Sequence, residues 1–302
     1  MELLIAGSLA YDTLESEVGR ADEVLGGSAT YAGLSARFHM REGRVGLIGA
    51  VGEDFLADDW ELLSGKGLDL SGVSRLSAPT FRWHGRYATG NSDAQTVSTQ
   101  MNAMGIFDPE VPLNQRNPAI FLCGNLHPRI QEKLLLQVES KLLIVDTMNK
   151  WITGHREQLN RVLGQAQLVV INETELRMLS DEDTINQGAA SLLSGQCLSG
   201  EGSPEIVVVK RGRHGAVAYG PWGEVSSQGV WVDRVVDPTG CGDVFAGAMA
   251  AHLLGAGLEG LPDAQEMAAA LVHANRTASF NLEAFGVTAL AGLETSTYAQ
   301  RL

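Results

Sequence analysis

DPTGCGDVFAGAMAA, running from Asp237 to Ala251, is the stretch from which the rest of the chain is read. Gly240 and Gly242 free the backbone, a carboxylate follows at Asp243, and small and apolar residues then continue without a breaker to Gly255. The run predicts a helix with a glycine turn just ahead of it. Amides at a helix start lack intrahelical partners, and the macrodipole places about half a positive charge there. The amides of Gly240, Cys241 and Gly242 are therefore placed to cradle an anion. Asp243 would repel that anion unless it has a task. The task that fits is to accept or orient the proton of a hydroxyl attacking a phosphoryl group. A helix start that Asp243 merely caps is the plainer alternative, weakened because Asp237 is already available for capping bonds. The third glycine comes too late for a dinucleotide fingerprint, and no lysine follows in the Walker position.

DPTGCGD resembles the DTxGAGD signature of the ribokinase (PfkB-type) family of carbohydrate and nucleoside kinases. In that family the last Asp is the catalytic base and the glycine turn is the anion hole, which the resemblance carries to Asp243 and to Gly240, Cys241 and Gly242. Pro238 stands for the usual Thr and Cys241 for Ala, and neither change removes a functional group. The resemblance implies an α/β fold: a ribokinase-like, doubly wound, mostly parallel sheet sandwiched by helices, with a small β-sheet lid. It implies a single kinase domain over residues 1–302, with lid strands from about 8–30 and 79–100, and ATP with Mg2+ as cofactors. A monovalent cation sits beside the equivalent of the Asp237 loop in some members.

Composition agrees with such an enzyme. The chain of 302 residues is 44% hydrophobic and 19% charged, an ordinary globular balance able to bury a large core. Its net charge of -14 excludes nucleic acid and anionic membranes as expected partners, because both reward clustered Lys and Arg. ATP must then be held by amides, a metal ion and a few local cations. The opening MELLIAGSLAYD has too short an apolar run for a signal or membrane span, so a cytoplasmic location is expected. Cys123, Cys197 and Cys241 are odd in number and show no metal spacing, which predicts reduced thiols. A thiol at a helix N-terminus is open to a lowered pKa, which would have Cys241 alkylated first and protected by ATP; an inert buried thiol is the favoured reading.

Along the chain, Glu2 to Ala6 predicts a strand, ended by Gly7 and followed by Asp12. The resemblance gives Asp12 bonds to substrate hydroxyls and brings the Gly26–Gly27 backbone close to the sugar. Tyr31 stands where many sugar kinases have Asn. GAVGEDF is similar to GxVGxDxxG without its last glycine, and is read as structural, with Asp54 a loop or capping residue. From Thr80 to Thr99 the pattern alternates, predicting small-sheet strands joined at Gly90–Asp93. Such strands cover the substrate in the resembling family, and two lids pair as a homodimer clasp in several members. Trp83, His84, Arg86 and Tyr87 are accordingly candidate contacts, of which alternation lets only one set face the pocket.

From about Pro118 to Val209, apolar strands alternate with helical stretches, as a parallel, doubly wound sheet requires. Polar residues gather at the strand ends: Asn125; Asp146, taken as substrate-binding, and Asn149; Asn172 and Glu175; then Lys210 to Gly212. NETE matches the family's NxxE, which implies roles at the nucleotide for Asn172 and at Mg2+ for Glu175; a capping box is equally compatible. KRGRHGA resembles TxGxxGA, with Gly212 and Gly215 in place and Lys210 replacing the hydroxyl residue, set against phosphate or solvated. The stretch from Asp263 predicts a long helix ended by Gly286. In the family the adenine lies between that helix and the loop before the anchor, which makes Asn275 and Ala278 candidate walls. The expected function is ATP-dependent transfer of phosphate to a hydroxyl of a small sugar or sugar-like substrate. Alternatives are a nucleoside kinase, with Tyr11, Tyr31 and Trp83 available to stack a base, and a sugar-binding protein without turnover.

Overall fold

The computed structural model describes residues 1–40, 42–88, 94–257 and 260–301. In chain order its strands are β1 (Leu3–Ala6), β2 (Ala10–Ser16), β3 (Gly19–Gly26), β4 (Val45–Gly52), β5 (Leu68–Leu76), β6 (Phe81–Arg86), β7 (Gln95–Gln100), β8 (Ile120–Cys123), β9 (Leu142–Asp146), β10 (Leu168–Asn172), β11 (Ile206–Lys210), β12 (Ala216–Gly220) and β13 (Gly223–Ser227). Nine of them form one sheet in the order β13-β12-β11-β10-β9-β8-β1-β4-β5, and the other four a separate sheet, β3-β2-β6-β7. From β5 across to β11 every neighbouring pair in the large sheet is parallel, while β12 and β13 close it with antiparallel pairs.

Strand alternation divides the large sheet's side chains between two cores. Leu3, Ile5, Leu47 and Val170 join the core beneath helices Ser28–His39, Cys241–Gly255 and Ala264–Asn281. Leu4, Ala6, Ile48 and Val169 join the opposite core, under helices that include Pro128–Leu135 and Glu173–Ser180. Both faces are covered, which is why the strands read as unbroken apolar runs. Strand order reverses between β1 and β8, since β1, β4 and β5 proceed one way and β8 to β11 the other. A crevice at the carboxyl ends beside such a reversal is where open α/β sheets bind ligands.

The helix Cys241–Gly255 is held at this crevice by its crossing with Ser28–His39. Ser35 Oγ donates to the Val244 carbonyl at 2.6 Å. A Cβ placed on Gly247 would lie 2.2 Å from the Ala32 carbonyl oxygen, so the two backbones touch where only glycine fits.

One local expectation is adjusted. The last long helix stops at Asn281, not at Gly286. The amides of Val236 and Asp237 reach the Leu282 carbonyl at 2.7 and 3.3 Å, capturing the helix end from outside. Gly286, at φ 60°, instead turns its amide to Asp237. The turn expected at Gly90–Asp93 lies outside the described residues. Asp54 accepts from the Thr80 amide and hydroxyl at 2.6 and 2.7 Å and pairs with Arg82 at 2.9 Å, a loop-fixing role. Gly247→Ala should lower stability by about 1–3 kcal/mol through overpacking at the crossing, measured as a shifted urea midpoint with the m-value unchanged.

Candidate active site

Gly240 caps the helix in the left-handed region, at φ 74° and ψ -3°, with no side-chain cap hydrogen bond among the described residues. The Tyr31 ring lies directly beneath, with ring carbons 2.4 Å from where a Gly240 Cβ would stand. Of the three amides in the turn, that of Cys241 already donates to the Pro238 carbonyl at 3.3 Å. Asp237 braces the loop from behind. It is fully buried, and its two oxygens accept the amides of Thr239 at 2.9 Å and Gly286 at 3.1 Å. Asn281 Nδ2 donates to the Thr239 carbonyl at 2.6 Å, a support that helical periodicity gave no reason to single out.

Asp243 follows in the first turn of the helix. Burial, reinforced by the Asp146 carboxylate, pushes its carboxyl up to about 7, with Lys210 and a backbone amide opposing. Lys210, at the end of β11, pairs with Asp146 at the end of β9, Nζ to Oδ2 at 3.0 Å. Its ammonium also lies 3.0 Å from the position of a Gly242 Cβ, and its Cε and Cδ are 3.7 and 3.8 Å from that point. Burial works against the ammonium's charge, but Asp146, Glu175 and Asp243 together hold its pKa above the ordinary lysine value. Burial raises Asp146, against the pull of Lys210.

Asn172 ends β10, in register with Lys210. It forms a complete capping box with Glu175: Asn172 N donates to Glu175 Oε2 at 2.7 Å, and Glu175 N to Asn172 Oδ1 at 2.8 Å. The Glu175 carboxyl is pushed up to about 7 by burial, with Lys210 lowering it and Asp146 raising it. The hard oxygens of Asn172 and Glu175 suit Mg2+ chemically. Among the described residues, however, no three acidic, His or Cys side chains converge as a metal site, so these donors fit an ion held mainly by phosphate and water. Gly212 (φ 54°) and Gly215 (φ 83°) shape the turn after β11. A Gly215 Cβ would meet the Ser227 carbonyl at 2.0 Å, and Asn275 Nδ2 bonds the Ser227 and Gln228 carbonyls at 3.4 and 3.3 Å. Gly215 and Asn275 therefore meet at one short segment after β13.

On the small-sheet side, Asp12 is 3% exposed and folds over Gly26, where a Cβ would lie 2.0 Å from its Oδ2. Burial, together with Asp237 and Asp243, pushes Asp12 up to about 8, while the Gly27 amide opposes. Gly27 itself has φ 96°. Tyr31 is buried and its hydroxyl has no partner among the described residues, so its ring serves as a floor below the turn.

Strand register decides the lid candidates. β2 and β6 pair Asp12 with Trp83, so their side chains leave the same face. Trp83 is half-buried there and donates to Thr96 Oγ1 at 3.2 Å. Tyr87, on the same alternation, reaches Thr239 Oγ1 at 2.8 Å, and Ser16 Oγ donates to the Val236 carbonyl at 2.7 Å. Both bonds tie the small sheet to the anion loop. His84 and Arg86 belong to the opposite face, where both bond Glu15 at 2.9 and 2.6 Å. Tyr11 is likewise unavailable for stacking a base: its hydroxyl donates to Asp59 at 2.6 Å, and its ring stacks on Phe55.

Asp146, expected at the substrate, is engaged by Lys210 and the Thr147 amide. The Cys241 thiol is pushed up to about 12 by burial, with Asp237 and Asp243 adding to the effect, opposite to the lowering a helix N-terminus favours. It is set between the Ala278 carbonyl and the Asn281 side chain.

The model of the pfkB family carbohydrate kinases matches residues 4–293. The chain belongs to that family. A curated relative, the cytidine kinase of Thermococcus kodakarensis, is 29% identical over 258 residues, covering 83% of this chain and 88% of that protein. The ribokinase of Giardia lamblia superposes with a TM-score of 0.79 at 17% identity, covering 99% of this chain and 98% of its own. A Burkholderia thailandensis nucleoside kinase solved with inosine gives 0.71 at 19%, covering 96% and 94%. As a pfkB-family member the chain is an ATP-dependent kinase with the ribokinase-like fold. Among its described residues no helix is long and apolar enough to cross a membrane. A base role for Asp243 requires its ionised form, and burial pushes its carboxyl up to about 7. The kcat/KM for the acceptor should therefore fall about tenfold per pH unit below that value and level off above it, as a pH-rate profile would record.

Proposed function

We propose that the chain phosphorylates a ribose-type hydroxyl of a nucleoside, using ATP. The observation that carries phosphoryl transfer is the uncapped glycine turn at Gly240–Gly242 with Asp243 in the first helical turn behind it. Amides held in that arrangement are preorganised for negative charge developing on a transferred phosphoryl group. Asp243 takes or orients the acceptor's proton, and Asp12 with the Gly26–Gly27 backbone orients the acceptor's other hydroxyls. Asn172, Lys210, Gly212, Gly215 and Asn275 belong to the nucleotide side. Mg2+, held with Glu175 through water, supplies neutralising charge to the phosphates when bound.

Two observations favour a nucleoside over a free sugar. The curated relative is a cytidine kinase, and Trp83 offers a half-buried aromatic surface on the face that carries Asp12. The sugar reading stays as the second one, supported by the Giardia ribokinase likeness. ADP release measured with pyrimidine and purine nucleosides, ribose and hexoses should show nucleosides ahead by at least about tenfold in kcat/KM. Trp83→Ala should remove much of that lead by raising the nucleoside KM. Equal rates with ribose would return the assignment to the sugars. Asp243→Asn should cut turnover by about a hundredfold or more with ATP affinity nearly unchanged; wild-type turnover in that variant would remove Asp243 from the chemistry.

A further inference from the structure

The Lys210–Asp146 pair joins the ends of β11 and β9 across the end of β10. Its side chains are only 16% and 6% exposed. A buried ion pair contributes little to stability compared with apolar residues of the same volume, so its presence calls for another explanation. The direction of the lysine supplies one. Its stem runs along Gly242, bringing the ammonium 3.0 Å from the point a Cβ there would occupy, directly against the turn. Three carboxylates surround it, Asp146, Glu175 and Asp243, and it is the cation that acts on both Glu175 and Asp243. A chain of net charge -14 otherwise repels a polyphosphate, which makes a cation fixed at the turn useful.

We infer that Lys210 is a resident cation of the anion hole that gives its ammonium to the terminal phosphates of the nucleotide, and that Asp146 is the positioning residue that aims it. Asp146 then acts through Lys210 and makes no contact with the acceptor. The inference rests on the kinase reading and adds to it a metal-independent part of phosphate recognition. Charge-assisted hydrogen bonds from a buried ammonium are strong and directional, and a lysine clamped by a carboxylate loses little further freedom on binding.

The test is calorimetric titration of ATP with divalent metal chelated, with adenosine as the probe lacking phosphates. The chains compared are the unaltered protein, Lys210→Met, Asp146→Asn and the double variant. The double variant removes both members of the 3.0 Å pair, so it stays informative where Lys210→Met alone unfolds. ATP affinity should drop by about tenfold or more in both variants lacking Lys210, with adenosine affinity unchanged and the double variant no weaker than the single. Asp146→Asn should lower kcat while leaving the acceptor's KM in place. ATP binding at the unaltered level by a folded double variant would overturn the role of Lys210, and a raised acceptor KM with intact kcat would return Asp146 to the substrate. Absence of phosphoryl transfer by the unaltered chain would count against the kinase reading, while the chelated titrations decide Lys210 separately.

Discussion

A helix can offer its first amides to an anion only if nothing of its own fills the space in front of them, and most of this architecture follows from keeping that space open. Three glycines of one segment have their missing Cβ replaced by a neighbour: Tyr31 at Gly240, Lys210 at Gly242 and the Ala32 carbonyl at Gly247. The first supplies a floor, the second a charge, and the third a backbone contact that fixes the helix on the sheet. Without side chains at these points, the neighbours come close enough to set the helix start to within a fraction of an ångström.

The charges near the turn obey the same economy of space. Asp146, Glu175 and Asp243 could not all remain ionised at low cost near one lysine, and burial raises each of them. Asp12, on the small-sheet side, is raised as well, partly by Asp237 and Asp243. The two halves of the crevice thus hold acids whose protonation depends on what enters between them. A polyphosphate with its counter-ions and a hydroxyl-bearing acceptor would each reset part of that balance.

Much of this was legible in the sequence because the signals were local. Apolar runs with polar ends gave the strands, and two glycines before an unbroken apolar stretch gave the helix start. What escaped depended on which distant pieces become neighbours. The ends of β9, β10 and β11 look alike as text, and only sheet order brings Lys210 to Asp146 over the end of β10. Alternation showed that Trp83 and Arg86 must part, but the pairing of Asp12 with Trp83 was needed to say which one shares its face. At Cys241 a helix terminus is visible in the sequence, whereas the burial that opposes ionisation of its thiol is not. Asn172 and Glu175 met the capping-box geometry in full, and that box also turns Glu175 inward, toward the lysine.

The bonds from Tyr87 to Thr239 and from Ser16 to Val236 make the small sheet and the loop ahead of the helix one mechanical unit. Drawing the sheet down over an acceptor would tug on the same few residues that shape the phosphate cradle. The proposed acceptor side and the proposed phosphate side are thereby joined at the surface, through two hydrogen bonds that bypass the hydrophobic interior.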